Sequence, residues 1–239
     1  HVVETKGKFE DAKKKAEAAA AANQSKTGVT TKAEVRIGNI FDDIGESALE
    51  HDARLVIMGT HGVKGMQRLV GSYALRVITD SVTPFVVVQE KGPGGHGYDN
   101  IVLPLDINKK TKQKLKYAAE IASYFKSQVH IFIQKDEDKD VMNEIKRNLV
   151  FIRNFLSEKG VQYKTFVSEG EGSFSEELIT YSASINADLI SVMNEEDGLL
   201  SNLFLGNDVQ AIITNKYQIP VMIVNPKDTA NAASSLFPS

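Results

Sequence analysis

Short apolar runs alternate with helix-like segments along the whole chain, which predicts strands alternating with helices. In the first 90 residues the apolar runs lie at 1–4, 31–38, 55–58 and 84–90. The run at 55–58 has the composition of a parallel strand that is buried on both faces. Helices are predicted at 8–22, which is rich in strong helix formers, and at 42–51, which Asp42 or Asp43 would cap.

The same alternation begins again at residue 100. Apolar runs predict strands at 100–106, 129–135, 161–170, 187–193 and 220–226. Apolar residues with a helical period predict helices at 111–128, 141–159, 175–186 and 207–217. Strands that alternate with helices indicate an α/β fold with a mainly parallel sheet.

The two halves of the chain form an internal repeat. The text at 53–56, ARLV, corresponds to ADLI at 187–190, and PFVVV at 84–88 corresponds to PVMIV at 220–224. The offset stays between 134 and 136 residues, so the match runs through several elements. Carried back to the N-terminus, the repeat places His1 opposite about Ile133, and the first half has no counterpart of 100–132. We therefore predict two α/β units with five-stranded sheets, the first of them truncated at its N-terminus.

Composition divides the repeat into domains. The segment KGPGGHGYD at 91–99 holds four glycines and a proline, which is typical of a linker. The predicted limits are a first domain at 1–90, the linker at 91–99, a second domain at 100–226 and a loose tail at 227–239. The two apolar strands that end the halves would pair antiparallel and join them as an intramolecular pseudo-dimer, because each edge would otherwise invite association. A further homodimer is also compatible with the sequence.

A glycine-rich loop follows the run at 55–58. Gly59, Gly62 and Gly65 interrupt the chain, and Gly71 with Ser72 opens the next periodic segment. Glycine lets the backbone approach a ligand, and a helix N-terminus attracts phosphate. The stretch 53–72 carries Arg54, Lys64 and Arg68 and no carboxylate, so its charge also suits an anion. Nucleotide or phosphate binding is the functional interpretation, and a tight strand-to-helix turn is the structural one.

The bulk composition restricts the class of protein. Charged residues make up 25% of the chain, hydrophobic residues 42%, and the formal net charge is −3 with a pI near 6.0. An acidic chain is not typical of nucleic-acid binders, and no apolar run approaches the length of a membrane span. Without cysteine there is no thiol nucleophile, and His51, His96 and His130 lack partners at metal-ligand spacing. We expect a cytoplasmic protein with no nucleic-acid or membrane partner and no metal site.

The residues from the 53–59 strand through the glycine loop to PFVVV resemble the universal stress protein family, and the repeat resembles its tandem form. The nucleotide motif of the family is Gly, two residues, Gly, nine residues, Gly and then Ser or Thr. Gly59, Gly62, Gly71 and Ser72 match these types, with eight residues between Gly62 and Gly71. The resemblance implies a Rossmann-like fold and an ATP-like adenine nucleotide, with Mg²⁺ as a candidate companion ion.

The resemblance also implies which residues would contact the nucleotide. The candidate binding residues in the first half are Val2, Met58, Gly59, His61, Gly62, Gly71, Ser72 and Tyr73. His61 would contact phosphate or, alternatively, is an exposed loop histidine. The second half keeps the aspartate that ends the first strand of the family, Asp106, but has Met193 and Glu196 in place of the loop glycines. Resemblance therefore implies one nucleotide-competent half and one degenerate half.

Three functions are compatible with this sequence. The leading hypothesis is a stress-response sensor or adaptor that binds an adenine nucleotide and is not an enzyme, because no triad or paired-carboxylate pattern supports catalysis. The second is a slow ATPase or nucleotide-transfer enzyme that uses the loop from Gly59 to Ser72. The third is a scaffold that binds no ligand and acts through protein contacts. We assign no catalytic residue.

Overall fold

The computed structural model describes residues 1–59, 78, 81–90, 97–105, 111–194 and 207–225. Its contacts divide the chain into two compact units, His1–Ala53 and Arg54–Ser239. The units do not coincide with the predicted domains, because the strands at 56–59 and 85–88 belong to the sheet of the second half. The domain limits drawn from the repeat stay a prediction about the sequence.

The first unit consists of two short parallel strands and two helices. Its elements are β1 (Val2–Val3), a 3-10 turn (Lys6–Lys8), α1 (Phe9–Thr27), β2 (Arg36–Ile37) and α2 (Ile40–Glu50). In β1 and β2, Val2 pairs with Arg36 and Val3 with Ile37. Helix α1 ends at Gly28, which has a φ of +71° and donates its N–H to the Gln24 carbonyl at 2.8 Å. The predicted helices are confirmed, but the strand predicted at 31–38 is only two residues long.

The capping prediction for α2 was wrong. The helix begins at Ile40, so Asp42 and Asp43 lie in its first turn and do not precede it. Asp43 instead reaches back and accepts the Asn39 N–H at 2.6 Å. A carboxylate in the first turn still suits the positive end of the helix. A Cβ at Gly38 would clash with the Asp43 carboxylate, so a larger residue there would require the Asp43 side chain to move.

The second unit is built on a seven-stranded sheet. Its strands are β3 (Val56–Gly59), β4 (Phe85–Val88), β5 (Asn100–Pro104), β6 (Gln128–Gln134), β7 (Gln162–Ser168), β8 (Leu189–Met193) and β9 (Val221–Val224). Their spatial order is β3-β4-β9-β8-β5-β6-β7. All neighbours are parallel except β4 and β9. The five strands from β9 to β7 form the predicted parallel sheet of the second half.

Four described helices accompany this sheet. They are α3 (Thr111–Phe125), α4 (Lys139–Glu158), α5 (Phe174–Ser184) and α6 (Asn207–Ile213). Two begin with clear caps: Asp138 accepts the N–H groups of Asp140 and Val141, and Ser173 forms a capping box with Glu176. The apolar stripe predicted for α4 is confirmed, since Ile145, Ile152 and Leu156 are buried.

The core of the second unit lies on both faces of the sheet. Ile131 and Ile133 of β6 belong to the cluster that also contains residues of α3 and α4. Phe132, which points to the opposite face because strand side chains alternate, packs against Phe174 and Tyr181 of α5. This arrangement explains why β5 and β8, in the middle of the sheet, are almost entirely apolar and buried.

The predicted antiparallel pairing of the two half-terminal strands is confirmed. Strands β4 and β9 pair in the register Phe85↔Ile223, Val86↔Met222 and Val87↔Val221. Val86 and Met222 are equivalent positions of the repeat, and they lie directly opposite each other. The register is therefore self-complementary, as at an isologous interface with its two-fold axis at this pair.

Two amides reinforce this symmetric junction. Gln89, just after β4, donates its Nε2 to the carbonyls of Ile213 and Asn215 at 3.0 and 3.1 Å. Asn225, just after β9, donates its Nδ2 to the carbonyl of Ser81 at 2.6 Å and to the carbonyl of Ile78. Each amide thus binds backbone carbonyls at the turn that leads into the other half's final strand.

The exposure of strand β3 contradicts the prediction that it is buried. The run at 55–58 was expected to be buried on both faces, but Ile57 is 68% exposed and Val56 and Met58 are half-buried. The reason is position, since β3 is an edge strand with only β4 beside it among the described residues. Within these residues no helix is both long and apolar enough to cross a membrane.

Candidate functional site

Of the predicted nucleotide loop, the structure describes only the first residue, Gly59. Gly59 ends β3 at the carboxyl edge of the sheet, where ligands of open α/β sheets bind. It is exposed, and a Cβ built on it would meet no atom within 4 Å. Met58 precedes it and is half-buried. The backbone at Gly59 is therefore accessible to a ligand from outside the sheet.

The other predicted site residues are not brought together here. Five of them lie outside the described residues: His61, Gly62, Gly71, Ser72 and Tyr73. Val2 is half-buried in β1, where it pairs with Arg36 in the first unit. The assignment of all eight residues to one nucleotide site stays a prediction.

The segment that leads from the glycine loop to β4 ends in a tightly bonded turn. Ile78 is helical and 1% exposed. Ser81 Oγ and Thr83 are joined by two hydrogen bonds of 3.2 Å, one to the Thr83 carbonyl and one from its N–H. The amide of Asn225 holds the carbonyls of Ile78 and Ser81 and accepts the Asn194 amide N–H at 2.9 Å. Sequence reasoning did not identify Asn225, since its partners are 144 and 147 residues away.

In the second half, the carboxylate of Glu177 lies at the carboxyl ends of two strands, β6 and β7. Glu177 of α5 accepts hydrogen bonds from Ser168 Oγ at 2.7 Å and Gln134 Nε2 at 2.9 Å, at the ends of β7 and β6. Its other oxygen accepts the Gly172 N–H at 3.0 Å. Burial raises the pKa of Glu177, but these hydrogen bonds outweigh that effect and the pKa is lowered. The carboxylate is therefore ionised and its acceptor capacity is used within the chain.

The loop after β7 fits tightly against the end of β6. Gly170 has a φ of +75°, and a Cβ there would lie 2.5 Å from the Lys135 carbonyl oxygen. Glu169 forms an ion pair with Lys135 at 3.8 Å. A Ser-x-x-Glu spacing such as Ser173–Glu176 is typical of a helix start, but it does not indicate the role of Glu177 beside it.

The described histidines have structural partners. The imidazole of His130 is buried and lies 2.9 Å from Tyr181 OH and 3.1 Å from Asn100 Oδ1. Burial lowers its pKa, and the nearby Lys164 lowers it further. His51 lies 2.9 Å from a Glu34 carboxylate oxygen. In the part of the chain described, no three His, Cys, Asp or Glu residues are grouped so that they would bind a metal ion.

Comparison with known proteins bears on the first half directly. Residues 2–89 match the model of the universal stress protein family. This match covers 88 of the 239 residues, so the likeness to that family in sequence concerns the first half of the chain. No curated protein sequence matches the chain.

Solved structures extend the likeness in fold to nearly the whole chain. A universal stress protein from Archaeoglobus fulgidus DSM 4304 aligns with a TM-score of 0.69 and 19% identity, over 95% of this chain and 81% of that one. A functionally unknown protein from Pseudomonas aeruginosa PAO1 aligns with a TM-score of 0.63 and 13% identity, over 93% and 81%. A universal stress protein from Archaeoglobus fulgidus in complex with dAMP aligns over 54% of this chain and 98% of that one, at a TM-score of 0.42 and 15% identity. The first two alignments show that the chain shares the fold of these two proteins over most of its length.

The family segment contains the whole predicted loop. The matched residues run from β1 to the residue after β4, so the universal stress protein match includes Gly59, Gly71 and Ser72. The second half shares the fold, with Glu177 bonded across the ends of β6 and β7.

Proposed function

We propose that this chain is a tandem universal stress protein whose first half binds an adenine nucleotide of the ATP type, and that it acts as a stress-response sensor or adaptor. The observation that carries the proposal is the accessible Gly59 backbone at the carboxyl end of β3, where the glycine loop of a family-matched segment begins. Parallel sheets bind ligands at this edge because loops and helix N-termini converge there.

Charge favours the first half over the second as the binding half. Residues 53–72 hold three cationic side chains and no carboxylate, whereas 187–207 hold Asp188, Glu195, Glu196 and Asp197 and no Lys or Arg. Unit charges about 4 Å apart interact by about 4 kcal/mol near a protein surface. Arg54 precedes β3 and forms an ion pair with Glu120, and Asp188 precedes β8 and accepts the N–H groups of Asp99 and Asn100. The loop residues therefore carry the contrast: Lys64 and Arg68 would attract a triphosphate, and Glu195, Glu196 and Asp197 would repel one. Glu177 adds a further ionised carboxylate to the second half.

The binding residues in this proposal are those of the predicted site. Gly59, Gly62, Gly71 and Ser72 would supply backbone N–H groups and a hydroxyl to the phosphates, with His61 and Tyr73 beside them. Val2 and Met58 would make the apolar contacts. Mg²⁺ would bind mainly through the phosphate oxygens and water, as is usual for this ion with nucleotides.

Calorimetric titration of the full chain with Mg-ATP tests the proposal. The double variant Gly71→Val/Ser72→Ala should abolish binding, because the valine side chain would stand where backbone approaches phosphate. Gly206→Val, at the corresponding position of the second half, is the matched control and should bind like the wild type. Loss of binding in Gly206→Val with retention in the double variant would reverse the assignment.

The chemistry of the bound nucleotide distinguishes the proposal from its alternatives. A sensor or adaptor should retain bound nucleotide without turnover, whereas an ATPase or nucleotide-transfer enzyme should release ADP steadily. A scaffold should carry no nucleotide, so mass spectrometry of small molecules released on denaturation would separate it from the other two. A cytoplasmic location and the absence of nucleic-acid partners remain parts of the proposal.

A further inference from the structure

Strand β7 (Gln162–Ser168) forms one edge of the sheet. In the described part of the chain it pairs only with β6, so one side of its backbone has no strand partner. Proteins usually protect such an edge with a short strand or a proline, because unpaired N–H and C=O groups invite another chain. Strand β7 is seven residues long and contains no proline, and Phe166 and Val167 are 38% and 49% exposed. This edge is therefore able to accept a further strand.

An arginine side chain lies over the middle of this strand. Arg153, in α4, is half-buried, and its Nη2 donates to Thr165 Oγ1 at 3.0 Å. Its Nε–H is also buried and has no acceptor among the described residues. Such a donor is costly, and a carboxylate is the acceptor that suits a guanidinium best, because it can take two N–H groups at once. The internal contacts of Arg153 thus leave it able to bind a carboxylate.

Charge along β7 also favours an acidic ligand. The strand contains no Asp or Glu, and its Lys164 is exposed. The Lys164 side chain points away from the face of Thr165 and Arg153, because side chains alternate along a strand. A cation therefore lies on each face of this edge. The carboxylate that follows the strand, Glu169, forms an ion pair with Lys135 at 3.8 Å.

We propose that the outer edge of β7 binds an extended acidic segment of another protein, which adds to the sheet as a further strand. Backbone hydrogen bonds would supply most of the affinity, and side chains that alternate between the two faces would supply the specificity. A glutamate of the segment would meet Arg153 on one face, and an apolar side chain would cover Phe166 on the other.

A second copy of this chain is a poorer occupant of the edge. Antiparallel pairing of two β7 strands would bring Arg153 and Lys164 of both copies to one junction, where like charges repel. The surface lies within 139–168 of the second half. The inference therefore goes beyond nucleotide binding in the first half and does not depend on it.

The test measures binding of a short fluorescein-labelled peptide, in which valine and glutamate alternate, by fluorescence anisotropy with the full chain. Arg153→Met should weaken binding about ten-fold, because the carboxylate loses its main partner. Arg147→Met removes an equal charge from an exposed position of the same helix and should stay within about two-fold of the wild type. The same peptide with a central proline should bind at least about ten-fold more weakly, since proline lacks the N–H that a paired strand needs.

Several results would overturn the proposal. Equal losses in the two arginine variants would reduce the contact to general charge attraction, and equal binding of the proline peptide would exclude strand addition. Absence of binding to the wild type at up to about 1 mM chain would also contradict it. If Arg153→Met does not fold, Lys164→Glu should weaken binding about three-fold, and an unchanged affinity would count against the site.

Sedimentation of the chain without peptide covers the other occupant. A dimer that the peptide dissociates would show that a second copy pairs at β7, and the proposal would fail. Peptide binding should be the same with and without Mg-ATP, so a failure of nucleotide binding would leave this result unaffected.

Discussion

Strands β3 and β8 occupy the same place in the two halves of the repeat and have opposite surroundings. Leu189, in β8, is fully buried because β5 and β9 flank its strand on both sides. Leu55, its counterpart just before β3, is only partly buried against the core, and the next strand residues are exposed or half-buried. Nearly the same apolar sequence is thus a core strand in one half and an edge strand in the other, so neighbours decide burial.

Matched leucine substitutions would measure this difference. Leu189→Ala should destabilise the chain by about 2–5 kcal/mol, the usual cost of a cavity left by a buried leucine. Leu55→Ala should cost no more than about 1–2 kcal/mol, because its side chain is only partly buried against the core. Urea unfolding of both variants checks the prediction. Equal costs at the two positions would show that β3 is as enclosed as β8.

The antiparallel pairing of β4 with β9 allows a second test, which asks whether the two halves are joined within one chain. Val86 and Met222 lie opposite each other, and the chain contains no cysteine. The double variant Val86→Cys/Met222→Cys should therefore form a disulfide within one chain, and closing so long a loop should stabilise it by about 2–4 kcal/mol. Non-reducing electrophoresis distinguishes the products. Covalent dimers as the sole product would contradict the intramolecular register.

The stability of the folded chain should decrease at acidic pH because of His130, in the second half. Its pKa is lowered by burial, and the neutral ring donates from Nε2 to Asn100 and accepts from Tyr181 at Nδ1. The unfolded chain binds a proton near pH 6.5 while the folded chain does not, so stability should fall as pH drops below about 6.5, by at most 1.4 kcal/mol per pH unit.

Urea unfolding at several pH values would measure this dependence. His130→Phe removes the titrating group and should flatten the stability curve between about pH 6.5 and 5.5. Tyr181, whose ring centroid lies 6.0 Å from that of His130, would still lie beside the substituted ring. An unchanged slope in the variant would assign the pH dependence to other groups.

The smallest expected effect lies in the first unit, at Glu34. A hydrogen bond from Ser47 and contacts with Arg36 and His51 lower its pKa to about 2 from 4.5. Its contribution to stability should be complete above about pH 4.5 and should decline as the pH falls towards 2. Because the side chain is partly exposed, we expect less than about 1 kcal/mol.

A comparison of the wild type with Glu34→Gln would isolate that contribution. The difference in urea midpoint between the two chains should be largest at neutral pH and should narrow between pH 4.5 and 3. A difference that stays constant across this range would mean that ionisation of Glu34 does not contribute.

Sequence patterns predicted most of the fold because they report local and repeated properties. The helical period of apolar residues predicted α4, and the apolar strands that end the two halves predicted the β4–β9 pairing. The exposure of Ile57 could not be predicted in this way, because an apolar run does not indicate whether its strand lies at the edge or in the middle of a sheet. The partners of Asn225 and Glu177 were missed for a related reason: a single amide or carboxylate carries no pattern, and its role depends on chain segments brought together by folding.

The candidate site was predicted only as a sequence motif. The strand that ends in Gly59 and the accessibility of that glycine agree with the motif. The spacing of glycines does not determine how a loop folds, because folding brings together segments that are distant in the sequence. The assignment of the remaining site residues therefore awaits the binding experiments.

The pair at the two-fold axis of the β4–β9 register, Val86 and Met222, shows what fusion of the two halves into one chain permits in evolution. In a dimer of identical chains, any change at such an axis occurs twice and each new side chain must fit against itself. Here Val86 faces Met222, an unlike pair that one gene copy can alter on either side independently. A single chain can therefore let its halves diverge in charge and ligand chemistry while their shared junction stays intact.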